Sequence, residues 1–197
     1  GDTQAPSMPR GLGATAISSS QIDLNWNAST DNVSVTGYDL YSCLGSTCTP
    51  AFLISLGNVT SYNNMGLSAS STYRYQVLAK DLAGNSSGLS SISFATTQAA
   101  PDTTPPTVAL STPANGATVA GTITVTANAS DNVGVAGVQF LLDGANLGRE
   151  DTTSPYSRSW NTTTASPGSH TLSARARDAA GLTTSSASRT VTVDNQA

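Results

Sequence analysis

The sequence predicts an all-β protein made of two tandem β-sandwiches joined by a short Pro-rich linker, and three observations carry that reading. Charged residues are only 10% of the 197 positions, against about a quarter in an ordinary globular chain. Ser, Thr, Ala, Gly, Asn and Asp fill the difference; Thr and Val favour strands and the others favour turns, and no long stretch carries a helical apolar period. The segment Gln98-Ala-Ala-Pro-Asp-Thr-Thr-Pro-Pro106 stops strands and holds the backbone extended. It divides the chain into 1–98 and 107–197, with 99–106 as linker. Finally, the halves repeat one pattern: Asp2, then Asp31-Asn-Val33, then Asp81-Leu-Ala-Gly84, against Asp102, Asp131-Asn-Val133 and Asp178-Ala-Ala-Gly181. Asp2 and Asp31 are 29 residues apart, as are Asp102 and Asp131; the next intervals are 50 and 47.

Alternation of apolar and polar residues places the strands. In the first half, Ile22, Leu24 and Trp26 share one face of a strand, and Tyr38 and Leu40 share a face of the next. Leu53 and Leu56 belong to a short strand after a cysteine hairpin. Tyr73, Tyr75, Val77 and Ala79 form a core face late in the half, and Ile92 and Phe94 a face of its last strand. In the second half the corresponding sets are Ile123, Val125 and Ala127; Val138, Phe140 and Leu142; Leu172, Ala174 and Ala176; and Val191 and Val193. Arg158 falls in phase with Tyr156 and Trp160, where an apolar residue is expected, which marks that strand as an edge.

Through Ile22-Asp-Leu-Asn-Trp26, Gly37-Tyr-Asp-Leu-Tyr41 and Leu67-Ser-Ala-Ser-Ser-Thr-Tyr73-Arg-Tyr-Gln-Val77, the first half resembles a fibronectin type III domain. The resemblance implies that Trp26 is a core anchor and that Tyr73 closes a tyrosine corner; the cysteine loop departs from the family pattern. The second half, through Pro105-Pro-Thr-Val, Ser130-Asp-Asn-Val-Gly-Val-Ala-Gly-Val138, Ser159-Trp-Asn-Thr-Thr163 and Ala176-Arg-Asp-Ala-Ala-Gly181, resembles the immunoglobulin-like modules of bacterial surface and secreted proteins. The resemblance thus makes the pair two tandem immunoglobulin-like β-sandwiches.

Composition argues against several function classes. The net charge is −4 and the basic residues, one Lys and seven Arg, are scattered, whereas nucleic acid is met by a clustered basic face. No apolar run reaches the length of a membrane span. Cys43 and Cys48 are separated by four residues, not the two of a redox motif, and the single His170 leaves zinc short of ligands. A disulfide pinching a hairpin, and with it an oxidising compartment, is the better reading than two free thiols. No catalytic constellation is recognisable. There are eleven Asp and one Glu; Glu150-Asp151 read as a solvated turn, since adjacent carboxylates cannot flank a bond. His170 reads as an exposed residue in a loop at the start of a strand, with no nucleophile elbow to serve.

Among eleven aromatics, core demands leave Tyr41, Phe52, Tyr62 and Trp160. Tyr41, Phe52 and Tyr62 are the candidates for sugar contact, set against ordinary packing on a sheet surface. The acidic loops give the sharpest signal. In a sandwich of this topology the chain start and two loops gather at one end, so Asp2, Asp31 and Asp81 should converge, as should Asp102, Asp131 and Asp178. Calcium suits such oxygen donors, with Asn132 as a further ligand. The competing reading is that Asp and Asn are simply favoured turn residues. Because Asp102 lies in the linker, an ion there would tie linker geometry to the second module.

The resemblance implies a non-catalytic accessory or spacer pair in a larger secreted bacterial protein, foremost a polysaccharide-degrading enzyme. Its expected partners are the neighbouring domains of the same polypeptide, and it is expected to be monomeric and secreted or at the cell surface. A calcium-stiffened adhesin stalk and a carbohydrate-binding module are the alternatives.

Overall fold

A computed structural model describes residues 1–196, which divide after Pro101 into two compact units. The first unit holds β1 (Arg10–Ala16), β2 (Gln21–Asn27), β3 (Val35–Leu44), β4 (Ala51–Gly57), β5 (Ser61–Met65), β6 (Thr72–Asp81) and β7 (Ser93–Thr96). They form two sheets, in the orders β1-β2-β5 and β4-β3-β6-β7, with all pairings antiparallel. The inward residues are those the alternation selects: Ile22, Leu24, Trp26, Tyr38, Leu40, Tyr75, Val77 and Ala79 are buried in one core. Trp26 meets Tyr38 edge-to-face, with ring centroids 5.5 Å apart. The Tyr38 hydroxyl accepts from the Ser29 N–H at 2.9 Å, so a core aromatic also fixes the start of a polar loop.

Two expected faces differ from the structure. Ile92 and Phe94 are exposed, at 40% and 68%. The physical cause lies just before β7. The Ser87 and Ser90 hydroxyls accept the backbone N–H groups of Ala79 and Val77, and these two serines hold the β6 edge that a regular strand would otherwise occupy. After an isolated bridge of Ser86 to Lys80, continuous pairing with β6 begins at Ser93, with Arg74 opposite Phe94, and Ala95 packs on the core instead. Leu53 is likewise 40% exposed. A register shift between Leu40 and Tyr41 pairs Leu40 with Ile54 and Tyr41 with Phe52; Leu53 is left out, and Ile54 joins Leu56 against the core.

The second unit holds β8 (Thr107–Thr112), β9 (Thr118–Val119), β10 (Thr122–Ser130), β11 (Val135–Leu142), β12 (Ala145–Asn146), β13 (Tyr156–Asn161), β14 (Gly168–Asp178), β15 (Thr183–Ser185) and β16 (Arg189–Val193), with one 3-10 turn at Thr162–Thr164. One sheet runs β13-β10-β8; the other runs β12-β11-β14-β16-β9, with β15 also on β14. β13 is an edge strand, as Arg158 implies. Trp160 is 3% exposed and belongs to the core, which removes it from the candidate surface aromatics. The Arg189 guanidinium donates to the carbonyls of Ser111 at 2.9 Å and Pro113 at 2.6 Å, and to that of Leu110, tying one sheet to the first strand of the other.

Candidate functional site: the acidic poles

Each unit gathers three aspartates at one end. One carboxylate oxygen from each of Asp2, Asp31 and Asp81 lies within 4.8 Å of the others, and the same holds for Asp102, Asp131 and Asp178. The elements explain the convergence. Asp81 and Asp178 end the long strands β6 and β14, which pair at that end with β3 and β11 through Val35 and Val135. Asp31 and Asp131 lie in the loops that lead into those partners. Asp2 and Asp102 precede the first strand of each unit.

The hydrogen bonding matches almost residue for residue. Asp31 Oδ2 accepts the N–H groups of Val33 and Ser34 at 2.9 and 3.0 Å, and Asp131 Oδ2 those of Val133 and Gly134, both at 2.9 Å. These turns are Asx-type, the loop holding its own carboxylate. The Gly134 and Val133 amides, in that order, keep the Asp131 carboxyl below the usual range. Asp2 Oδ1 accepts from Gln4 N at 3.0 Å and Asn32 Nδ2 at 3.2 Å; Asp102 Oδ1 accepts from Thr104 N at 3.0 Å and Asn132 Nδ2 at 3.2 Å. Asn132 thus presents its amide nitrogen, not the oxygen expected of a ligand.

The poles part company at the third aspartate. Asp81 is 5% exposed, and both its oxygens are engaged by Asn85: Oδ1 by the backbone N–H at 2.8 Å and Oδ2 by the side-chain amide at 2.7 Å. Burial pushes its pKa up, but the Asn85 side-chain and backbone donors outweigh it and the net shift is downward. The same amide also donates to the carbonyls of Asp2 and Gln4, both at 3.3 Å. Four residues after Asp178 the sequence has Leu182. Its N–H reaches Asp178 Oδ1 at 2.8 Å, but it has no side-chain donor. Asp178 is fully buried and its Oδ2 has no hydrogen-bond partner. Asp102 Oδ2 and Asp131 Oδ1 are buried without partners as well, whereas in the first pole Asp31 Oδ1 alone is. The contrast between Asn85 and Leu182 stands in the sequence, one residue beyond the repeated Asp-x-x-Gly stretch, where the repeat stops matching.

The remaining candidates separate. Tyr41 and Phe52 meet across β3 and β4 with centroids 5.9 Å apart, but their rings are 84° to each other, an edge-to-face pair and not a flat platform. Tyr62 lies on β5 in the other sheet and packs against the core. Cys43 and Cys48 form a disulfide. Glu150 and Asp151 are not a solvated turn: Glu150 pairs with Arg177 at 3.0 Å, and Asp151 bridges Val138 in the backbone. Nor is His170 an exposed loop residue. It lies on β14 with its side chain 11% exposed, pairs with Asp143 at 2.6 Å and sits edge-on to Trp160 at 6.0 Å. A hydrophobic and ionic hook holds it, a role that its isolated position in the sequence does not signal.

Comparison with known proteins follows the division of the chain. Residues 7–96 match the fibronectin type III domain and residues 106–174 the bacterial Ig domain. Chitinase A1 of Niallia circulans is 38% identical over an alignment covering 100% of this chain and 27% of its own length. Exoglucanase B of Cellulomonas fimi is 40% identical over 70% of this chain and 12% of its own. An alpha-amylase of Niallia circulans is 45% identical over 50% of this chain and 7% of its own. The chain therefore spans about a quarter or less of these relatives. Among solved structures, the fibronectin(III)-like modules of Clostridium thermocellum CbhA align over 97% of this chain and 90% of theirs, at 21% identity and a TM-score of 0.37. Among the described residues no helix is long and apolar enough to cross a membrane. Modules of this kind are non-catalytic. Residues 7–96 are a fibronectin type III domain, and residues 106–174 belong to a bacterial immunoglobulin domain.

Proposed function

We propose that the two domains are a non-catalytic accessory and spacer pair within a larger secreted bacterial enzyme that degrades polysaccharide. One observation carries this reading. Proteins named as an amylase, an exoglucanase and a chitinase contain stretches similar to this chain, in each case over a small part of their length. A segment common to enzymes with different named activities does not supply the chemistry that distinguishes them. The Cys43–Cys48 disulfide supports an oxidising, extracytoplasmic setting.

The Tyr41–Phe52 pair gives sugar binding little footing, because the crossed rings offer no common plane for a pyranose face. Pull-down of the isolated chain on chitin, cellulose and starch should therefore retain little protein. Deletion of residues 1–196 from the polypeptide that carries them should lower activity on insoluble polysaccharide and leave kcat/KM on soluble oligosaccharides unchanged. Equal loss on both substrates would show that the pair acts on the catalytic fold itself. A polypeptide that holds only further copies of such modules would make the stalk reading the right one.

A further inference from the structure

We propose that the acidic pole of the second unit, Asp102, Asp131 and Asp178, is a calcium site, and that the closely matching pole of the first unit is not. The proposal starts from charge. The three carboxylates of the second pole converge to within 4.8 Å, and none of them is in a salt bridge among the described residues. Like charges so close repel unless a cation or protons intervene.

The independent observation is the state of Asp178. It is wholly buried, its Oδ2 has no donor, and it is drawn into the cluster. Buried carboxylate oxygens are otherwise hydrogen-bonded. Here each of the three aspartates keeps one buried oxygen without a partner, Oδ2 of Asp102, Oδ1 of Asp131 and Oδ2 of Asp178, while its other oxygen accepts from the backbone. The loops thus orient each carboxylate by one oxygen and leave the second free.

The first pole is the internal control. It has the same turns and the same Asp and Asn positions, and Asp31 Oδ1 also lacks a partner, yet the Asn85 amide donates to Asp81 Oδ2 and to the carbonyls of Asp2 and Gln4, so its buried third aspartate has no orphan oxygen. The second unit has Leu182 at the matching offset, which can do none of this. One residue therefore separates a pole whose buried third carboxylate is hydrogen-bonded at both oxygens from one whose third carboxylate keeps an oxygen without a donor.

The donor set points to calcium. All three side-chain donors are hard oxygens, with no nitrogen or sulfur ligand to favour a transition metal. Two of the three come from the segment before β8 and from the loop between β10 and β11, which suits the flexible shell of calcium better than the strict octahedron of magnesium; backbone carbonyls and water would complete six to eight ligands. A rotation of the Asn132 amide, whose nitrogen now faces Asp102, would add its oxygen.

The test is titration of the EDTA-stripped full chain with calcium chloride by calorimetry, with thermal melts in parallel. One ion should bind per chain, with Kd of about 0.1–1 mM, as in extracellular modules. About 5 mM calcium should raise the calcium-sensitive transition by roughly 5–15 °C, and chelator should reverse it. D178N, nearly isosteric, should weaken binding at least about tenfold (~1.4 kcal/mol) while circular dichroism stays native. L182N should weaken it similarly and raise the melting temperature without calcium, because the new amide can donate to Asp178. D81N should leave binding unchanged. Absence of heat and of any melting shift would overturn the proposal, as would binding that survives D178N. Loss of binding in D81N, or two ions per chain, would overturn the assignment to the second pole alone.

Discussion

At the scale of single residues, the first unit shows how much structure one hydroxyl can organise. The Tyr73 hydroxyl accepts the Ser68 N–H at 2.9 Å, closing the corner that the resemblance implies. Thr97, 3% exposed, completes it by accepting Ser71 N at 3.0 Å and donating to the Ser68 carbonyl at 2.6 Å. Ser68 N lies at the surface, where water can replace a lost acceptor, so Tyr73→Phe should cost only about 0.5–1 kcal/mol. Thr97→Val removes a buried hydroxyl that serves two partners and should cost more, about 1–3 kcal/mol. Urea melts of the two variants decide the order, and the reverse order would mean that the corner depends on Tyr73 alone. The role of Tyr73 was legible because its motif is local. That of Thr97 was not, because it depends on a contact with residues 26 and 29 positions away. The acidic poles fall between these cases. The repeated pattern of aspartates, set on a sandwich topology, announces their convergence, and the Asn85–Leu182 difference is visible in the letters. What it means appears only once Asp81 Oδ2 is seen satisfied and Asp178 Oδ2 is not.

At the scale of elements, strand identity was legible and strand phase was not always so. The long central strands carry enough alternating residues to set their own phase, and every core residue expected on β2, β3, β10 and β14 faces inward. The short edges depend on neighbours: two serine hydroxyls delay β7, and a register shift opposite Tyr41 turns Leu53 outward. His170 belongs to this scale too, since it joins β14 to the turn after β11. Its pKa is raised, first by the hydrogen bond to Asp143 and then by that to the Ser166 carbonyl. That of Asp143 is lowered, first by the Thr171 N–H and then by His170. The signs set opposite limits. The histidine's contribution is full below its unfolded value of about 6.5 and is lost as pH rises through its higher folded value. The aspartate's contribution is present above about 3.9 and lost as pH falls through its lower folded value. Between about pH 5 and 9 only the first limit is crossed. The melting temperature of the parent protein should exceed that of His170→Gln most near pH 5–6, and the gap should narrow toward pH 9. A constant residue of that gap would remain from the lost contact with Trp160. A gap that is flat across this range would show that the imidazolium adds nothing over the neutral ring.

At the scale of the whole molecule, the chain holds two separate hydrophobic cores. Ile22, Leu24 and Trp26 help form one, and Val125, Phe140 and Trp160 the other; none of the buried residues is common to both. Burial of a large side chain is a local matter within each core, so a cavity in one should leave the other's stability unaltered. The two tryptophans make this measurable, because each core contains one. Trp26 is 5% exposed, and Trp26→Ala should cost the first unit about 3–5 kcal/mol, a large share of the 5–15 kcal/mol typical of a domain. It also leaves Trp160 as the sole indole in the chain, and hence as a reporter of the second unit alone. Far-ultraviolet dichroism of Trp26→Ala should then show an early loss from the first unit. Trp160 emission should stay native until its own midpoint, which should coincide with that measured in the milder Trp26→Phe. A Trp160 midpoint that falls together with the first unit would mean that the two cores unfold as one cooperative body. Under the accessory reading, independence has a use, since a spacer whose modules unfold separately keeps one folded when the other fails.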